Sequence, residues 1–272
     1  MSAVLERPGA RIAYDVTGDG PALVLLHAWI ADRRMWDEVV PALARHRRVV
    51  RYDARGFGET VATEPGAAYS NRADLVALLD HLGIDRAALV GASGGGTIAL
   101  DTAVEFPDRV AALVSVAGGL SGFDGGTTEE EAAIEAELER LEEAAEWDAL
   151  VEIEMAYWVD GLGQPPERVA DVRRRVAEMD RAAYERHADD DLGGMTPLEP
   201  RAVGRLAELR APVLVVVGDL DASGAQATAR RIAADAPNGR LEVWPGVAHM
   251  LSMEHPERFV RLVEAFLDEV GA

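Results

Sequence analysis

Two residue types are absent from this chain of 272 residues: it has no cysteine and no lysine. Without cysteine, neither disulfides nor thiolate chemistry can contribute, which suits a reducing compartment. Without lysine, a Schiff base, a lysine general base and a phosphate-binding P-loop lysine are all excluded. The 27 basic residues are therefore all arginine, and 48 acidic residues leave a net charge of −21. Such a balance argues against nucleic acid, which is bound through phosphate neutralisation, and against anionic membranes. No apolar run approaches the roughly 18 residues of a membrane span. The first residues, Met1-Ser-Ala-Val-Leu-Glu6-Arg7, lack the basic and then apolar pattern of a signal peptide. The expectation is a soluble cytoplasmic protein that acts on a small molecule, with no nucleic-acid or membrane partner and with room for a homodimer. No metal and no cofactor are expected.

About half of the chain is apolar, enough to bury a large core as one domain with an insertion. Residues 3–6 and 11–16 read as a first hairpin, turned at Arg7-Pro-Gly9. The continuous apolar run at 22–26 reads as a strand covered on both faces, 213–217 as a buried-type strand, and 48–52, 87–90, 110–116 and 240–244 as further strands. Helical spacing separates them at 35–43, 71–82, 96–105, 225–236 and 256–270. Strand alternating with helix predicts a parallel, doubly wound α/β sheet whose strand-to-helix loops share one edge. The rhythm breaks after Gly118. Thr127 and Thr128 before Glu129, Glu130 and Glu131 read as a helix cap with an acidic first turn. Several helices follow without a strand, divided by Gly161-Leu-Gly-Gln-Pro165-Pro166. Residues 119–196 are accordingly assigned to a helical cap inserted into a core formed by 1–118 and 197–272. The acidic run through Glu142, Glu143 and Glu146 reads as a solvated helix face.

The stretch Gly91-Ala-Ser93-Gly-Gly95 lies where a short apolar strand passes into a helix. A serine on such a tight turn is held in strained geometry with its hydroxyl exposed above the sheet, and small residues are needed two before and two after it. Seven serines and 26 glycines would yield roughly 0.06 chance matches to Gly-x-Ser-x-Gly, so the strand–turn–helix context decides its weight. A serine hydroxyl needs a base, and the base needs a partner that holds its tautomer. His249 follows the last strand on the expected edge. His46 and His81 fall in or just after helices, His187 in the cap, and His255 opens the final helix. His27 ends a strand and reads as a residue that orders its own loop. The loop after Val217 offers Asp219 and Asp221 as the acid, and the chain order Ser, Asp, His is that of the α/β hydrolases. Asp53 and Arg55 read as a structural ion pair.

Six segments carry a family resemblance: His27-Ala-Trp29, Asp53-Ala-Arg-Gly-Phe-Gly58, Gly91-Ala-Ser-Gly-Gly95, Phe106-Pro-Asp-Arg-Val110, Gly218-Asp-Leu-Asp221 and Gly246-Val-Ala-His249. The chain resembles the α/β-hydrolase superfamily, in the branch of small bacterial esterases, enol-lactonases, cofactor-free haloperoxidases and carbon–carbon bond hydrolases. The resemblance implies an eight-stranded, mostly parallel sheet with helices on both faces and an inserted helical cap. It selects Asp221 over Asp219 and implies an oxyanion hole from the N–H groups of Trp29 and Gly94. Ala28 departs from the family's usual His-Gly. A serine rather than an aspartate nucleophile argues against dehalogenase and epoxide hydrolase activity.

The expected activity is hydrolysis of carboxylic esters or lactones through an acyl-enzyme on Ser93, with His249 and Asp221. The alternatives are carbon–carbon bond hydrolysis of a diketone-type substrate and, in a different class, a triad-retaining small-ligand receptor. Perhydrolysis is a conceivable side activity. Trp29, Phe123, Trp158, Met195 and Met250 are the expected substrate-binding residues; Tyr157, Met155, Met179 and Leu251 could join them or form cap core. Crowding at the turn accounts for Gly95 but not for Gly94 or Gly96. Gly94 is read as leaving room beside Ser93 for a bulky acyl group.

Overall fold

Alternation of apolar side chains along each central strand decides what the sheet buries. In the computed structural model, which describes residues 3–187 and 192–272, the central strands β3 (Ala22–Leu26), β6 (Ala87–Ala92), β7 (Val110–Val116) and β8 (Val213–Gly218) are buried along almost their entire length. Successive residues point to opposite faces. Leu23 and Leu25 therefore join one apolar cluster, with Trp36, Trp244 and Phe259, while Val24 and Leu26 join a second, with Leu78, Leu89 and Leu100. Two separate cores, one per face, are what a sheet clad with helices on both sides requires.

The remaining strands are β1 (Ala3–Arg7), β2 (Ala10–Thr17), β4 (Arg48–Tyr52), β5 (Val61–Ala62) and β9 (Gly239–Trp244). The main order is β1-β2-β4-β3-β6-β7-β8-β9, with β5 pairing on β2. Strands β4-β3-β6-β7-β8-β9 run parallel, and β1 and β2 form the antiparallel hairpin at one edge. The eight expected strands are all present; β5 is a ninth, too short to leave a periodic signature.

The helices are α1 (Val40–Leu43), α2 (Asn71–His81), α3 (Gly94–Glu105), α4 (Glu129–Glu143), α5 (Trp147–Glu154), α6 (Ala170–His187), α7 (Ser223–Asp235), α8 (Leu251–Glu254) and α9 (Pro256–Val270). Helix α9 bounds match the expected ones; α3 begins earlier, directly after Ser93. Among the described residues, no helix is long and apolar enough to cross a membrane.

Helices α4, α5 and α6 lie between β7 and β8 in the chain and contribute no strand to the sheet. Residues 188–191, part of the segment assigned to the cap, lie outside the described residues. Helix α4 starts with the expected cap: Thr128 accepts from the Glu131 N–H at 3.2 Å, and Glu131 accepts from the Thr128 N–H at 2.8 Å. Between α5 and α6 runs a π-helical turn, Met155–Gly161, which no periodicity announces. Met155 and Met179 are buried in the apolar cluster that also holds Trp36 and Phe259, so they are core.

One buried pair in these helices is acidic. Asp180 on α6 faces Glu154 on α5, and the Tyr184 hydroxyl donates to Glu154 at 3.1 Å. Burial first, and then the neighbouring carboxylate, pushes the Asp180 carboxyl far above the ordinary range, so it stays protonated and neutral. An acid whose pKa is raised on folding holds a proton that the unfolded chain releases. Stability therefore falls as pH rises above the unfolded value of about 4. Asp180→Asn, which keeps the shape without the titration, is expected to melt higher than the wild type at pH 8.5 and close to it at pH 5. Thermal melts at the two pH values check this; equal offsets at both would contradict it.

Candidate active site

The turn between β6 and α3 is defined by how closely backbones approach. A Cβ on Gly95 would lie 2.4 and 2.5 Å from the carbonyl oxygens of Leu26 and His27, and one on Gly91 would lie 2.3 Å from the Gly95 carbonyl oxygen. Neither clash can be relieved by a side-chain rotation. Helix and strand close on each other, and Ser93 between them is driven to φ 49°, ψ −118°. A non-glycine residue there costs of the order of 1–3 kcal/mol. Four backbone bonds hold it: Ser93 N–H donates to Val116 at 3.0 Å, and the Ser93 carbonyl accepts from Gly96, Thr97 and Gly119 at 2.9, 3.1 and 3.1 Å. Gly96 is also explained, since a Cβ there would sit 2.6 Å from Gly118 Cα.

His249 and Ser93 both line one cavity of about 270 Å³. His249 Nδ1 lies 2.9 Å from both carboxylate oxygens of Asp221, which also accepts the Ala222 N–H at 2.8 Å. The bond to a carboxylate places the proton on Nδ1 and leaves Nε2 as the free basic nitrogen. Asp219 is elsewhere: its carboxylate accepts the Gly246 N–H at 2.7 Å and ties the loop after β8 to the loop after β9. Among the described residues, no acceptor meets the backbone N–H of Trp29 or Gly94, and both residues line the Ser93 cavity. Helix α3 directs its N-terminal N–H groups and the positive end of its dipole at the same place.

The structure corrects the reading of Gly94. A Cβ there would meet the Trp29 indole at 2.2–2.4 Å. The room beside the nucleophile is filled by that ring, which also stacks on Phe57 at 5.2 Å with planes 9° apart. Gly94 is glycine because an indole lies on it.

Of the expected pocket residues, Trp29, Phe123 and Trp158 line the Ser93 cavity, and so does Tyr157. Met195 does not; 51% exposed, it lines a second cavity beyond Trp29. Met250 is not among the lining residues either. It is 1% exposed and packed in the core beneath the loop, because the chain turns into α8 directly after it. Leu251 is core for the same reason.

His27 orders its loop: Nδ1 bonds the Ala28 carbonyl at 2.8 Å and Nε2 accepts the Ala54 N–H at 3.0 Å. Asp53 and Arg55 are both structural, but they are not each other's partners. Arg33 pairs with Asp53, which also accepts the N–H groups of Arg33 and Glu59 at 2.9 and 2.8 Å. Arg55 pairs with Asp74 at 2.7 Å. His46 and His81 are remote; His81 bonds the Tyr14 hydroxyl at 3.0 Å. Among the described residues, no three His, Asp or Glu side chains converge as a metal site would need.

Sequence reasoning overlooked the residues that tie the helical segment to the two loops carrying Asp221 and His249. Glu131 accepts from the Ser223 N–H at 2.7 Å and from its hydroxyl, two residues beyond Asp221. These bonds hold the Glu131 carboxyl down at about 2 in spite of its burial. The Trp158 carbonyl, in the π-helical turn, accepts the His249 N–H at 3.2 Å, and the indole packs on the imidazole at 4.8 Å. Glu254 accepts the Ala248 N–H at 2.9 Å and pairs with Arg168, which also donates to Gly246, Val159 and Asp160 carbonyls. None of these contacts has a signal in local sequence spacing.

A model of the family described as alpha/beta hydrolase fold matches residues 21–256. The chain belongs to the alpha/beta hydrolase family. It is 30% identical to a 2-hydroxy-6-oxononadienedioate/2-hydroxy-6-oxononatrienedioate hydrolase from Burkholderia vietnamiensis, over 98% of this chain and 94% of the relative. A thermophilic esterase from Thermogutta terrifontis superposes with a TM-score of 0.78 at 26% identity, with 100% of both chains covered. An esterase from Rhodococcus sp. ECU1013 does so at 0.78 and 26%, over 99% of this chain and 98% of that one.

In this hydrolase, the Glu254 carboxylate is almost fully enclosed. Glu254→Ala leaves Arg168 and the Ala248 N–H without their partner. It is expected to cost about 2–4 kcal/mol of stability and to lower kcat more than KM rises, because the His249 loop loses its register. Thermal melts and steady-state kinetics on one ester check both parts.

Proposed function

We propose that the protein hydrolyses carboxylic esters or lactones through an acyl-enzyme formed on Ser93. One observation carries this reading: a serine at positive φ at the head of α3 shares a cavity with a histidine whose other ring nitrogen is bonded to a buried aspartate.

Ser93 Oγ attacks the carbonyl carbon while His249 Nε2 takes its proton. Asp221 stabilises the imidazolium that results and keeps the ring turned. Negative charge gathers on the former carbonyl oxygen, and the N–H groups of Trp29 and Gly94 receive it. Such fixed donors cost no reorganisation during the reaction and are worth about 3–4 kcal/mol each in comparable sites. As the tetrahedral species collapses, His249 gives its proton to the departing alkoxide. Water, deprotonated by the same nitrogen, then attacks the acyl-serine and regenerates the hydroxyl. Residues 119–196 act in this reading as a cap: Glu135, Tyr157 and Trp158 roof the cavity and limit access of bulk water.

Ester chemistry is preferred to carbon–carbon hydrolysis on electrostatic grounds. The Burkholderia relative is named for a dioate, a doubly anionic compound. Here Asp124 and Glu135 line the Ser93 cavity, and among the described residues no arginine does. An anionic group beside Ser93 would find repulsion and no counter-charge, so the reacting part of the substrate is uncharged.

Purified protein is expected to release p-nitrophenol from short acyl esters. Ser93→Ala should cut turnover by roughly 10⁴, and Asp221→Asn by about 10³–10⁴. Wild-type turnover no greater than that of Ser93→Ala across a broad panel of esters and lactones would overturn the reading.

A further inference from the structure

Beyond the Trp29 indole lies a second cavity, of about 600 Å³, more than twice the volume beside Ser93. Aromatic residues are scarce in this chain, fifteen in all. Five of them, Trp29, Phe57, Tyr69, Trp147 and Tyr184, line this one cavity. Four of them form two stacked pairs: Trp29 lies on Phe57 at 5.2 Å and 9°, and Trp147 lies on Tyr184 at 5.2 Å and 11°. One pair belongs to the loops after β3 and β4, the other to α5 and α6. Aromatic walls favour flat apolar groups that stack on them or meet them edge-on.

The polar groups in the cavity are already committed. Arg55 lies 5.1 Å from the centre of the Tyr69 ring, and its Nε and Nη2 donors are taken up inside the protein by the Pro8 carbonyl and by Asp74, which Arg7 also pairs. Asn71 donates its amide to Met195 at 3.3 Å. Asp180 is held neutral beside Glu154. Glu142 also faces the cavity, has no ion pair among the described residues, and repels anions. Trp29 belongs to both cavities. A carbonyl seated at Ser93, next to the Trp29 N–H, therefore has one substituent beside the Trp29 side chain, the wall that the two cavities share.

We infer that the second cavity receives an uncharged aromatic ring system carried by the substrate, and that the natural substrates are esters or lactones bearing such a group. The inference rests on the ester reading for its chemistry, while the binding of the aromatic group stands on the cavity alone. Bulky fused-ring esters are then preferred to compact ones, and a carboxylate on the ring abolishes the preference.

The test fills or opens the cavity away from Ser93. Ala183, on α6, lines it and contacts neither Ser93 nor His249 among the lining residues of the first cavity. Ala183→Phe is expected to lower the ratio of kcat/KM for 2-naphthyl acetate or methyl 2-naphthoate to that for ethyl acetate at least tenfold. Trp147→Ala, at a half-buried position, removes one stacking wall and should lower the same ratio without depending on whether the larger side chain fits. In parallel, uncleaved 2-naphthyl acetate is titrated calorimetrically into Ser93→Ala with and without each second substitution; affinity should fall at least tenfold. If wild type and Ser93→Ala are equally inactive, the ester reading falls and the calorimetric arm still decides the cavity. Unchanged ratio and unchanged affinity in both variants would overturn the inference, as would tighter binding of 2-naphthoate than of 2-naphthyl acetate.

Discussion

Where α3 leaves β6, backbone meets backbone, and Gly95 presses on the carbonyls of Leu26 and His27. No side chain fits there, so the chain has no relaxed way through the turn. The strain appears two residues earlier, in the positive φ of Ser93. It can persist because the surroundings over-determine it: β7 supplies Val116 as acceptor, and Gly119 returns a donor to the Ser93 carbonyl. Two apolar cores, one on each face of the sheet, fix the strands that supply these partners. The hydroxyl is thus displayed at the edge of the sheet by the rigidity of everything behind it, and only the partners opposite remain to be placed.

Those partners come from loops, and loops need anchors. The anchors are polar and long-range. Glu131, the third residue of α4, serves its own helix start and also the Ser223 N–H and hydroxyl next to Asp221. Arg168 and Glu254 bind the loop before His249, and the Trp158 carbonyl takes the His249 N–H directly. A π-helical turn suits this last contact, because its wider winding leaves carbonyls without their usual partner four residues on. The helical segment is consequently bonded to both loops, the one that carries Asp221 and the one that carries His249.

How much of this was readable in the sequence follows from which interactions are local. Apolar runs of strand length and helical spacing located all eight principal strands, and the Thr128 cap was visible because a capping box closes within four residues. Gly91-Ala-Ser-Gly-Gly95 was visible for the same reason, since crowding at a turn is a property of five neighbours. The choice between Asp219 and Asp221 was not: both lie on one loop, and family resemblance rather than spacing favoured the second. Geometry separates them, with Asp219 spent on the Gly246 N–H and Asp221 facing His249. Ion pairs were least legible. With 27 arginines and 48 acids, proximity in sequence says little, and Asp53 finds Arg33 while Arg55 finds Asp74. Gly94 was misread because its neighbour in space, Trp29, lies 65 positions away in the chain.

The excess of acid over base bears on where charge is tolerated. Buried arginines here are structural: Arg33 lies among Asp15, Asp53 and Glu59, and Arg55 serves Asp74. Burial pushes the Asp53 carboxyl up, and Arg33 with two backbone N–H groups offsets part of that. Asp53 and Asp74, both buried, are thereby matched to buried cations, which is the arrangement that low dielectric demands, while the buried Arg47 and Arg72 reach out to the more exposed Asp268 and Glu105. What faces the two cavities is a set of carboxylates, one of them held protonated, the His249 imidazole, the Arg55 guanidinium bonded to Asp74, and aromatic rings. A site built this way has stacking and hydrophobic transfer as its means of holding a substrate, and it has carboxylates to turn anions away. Under the proposed ester chemistry, selectivity then resides in ring shape and absence of charge, while the reacting carbonyl is recognised only by the two backbone N–H groups that its developing oxyanion would meet.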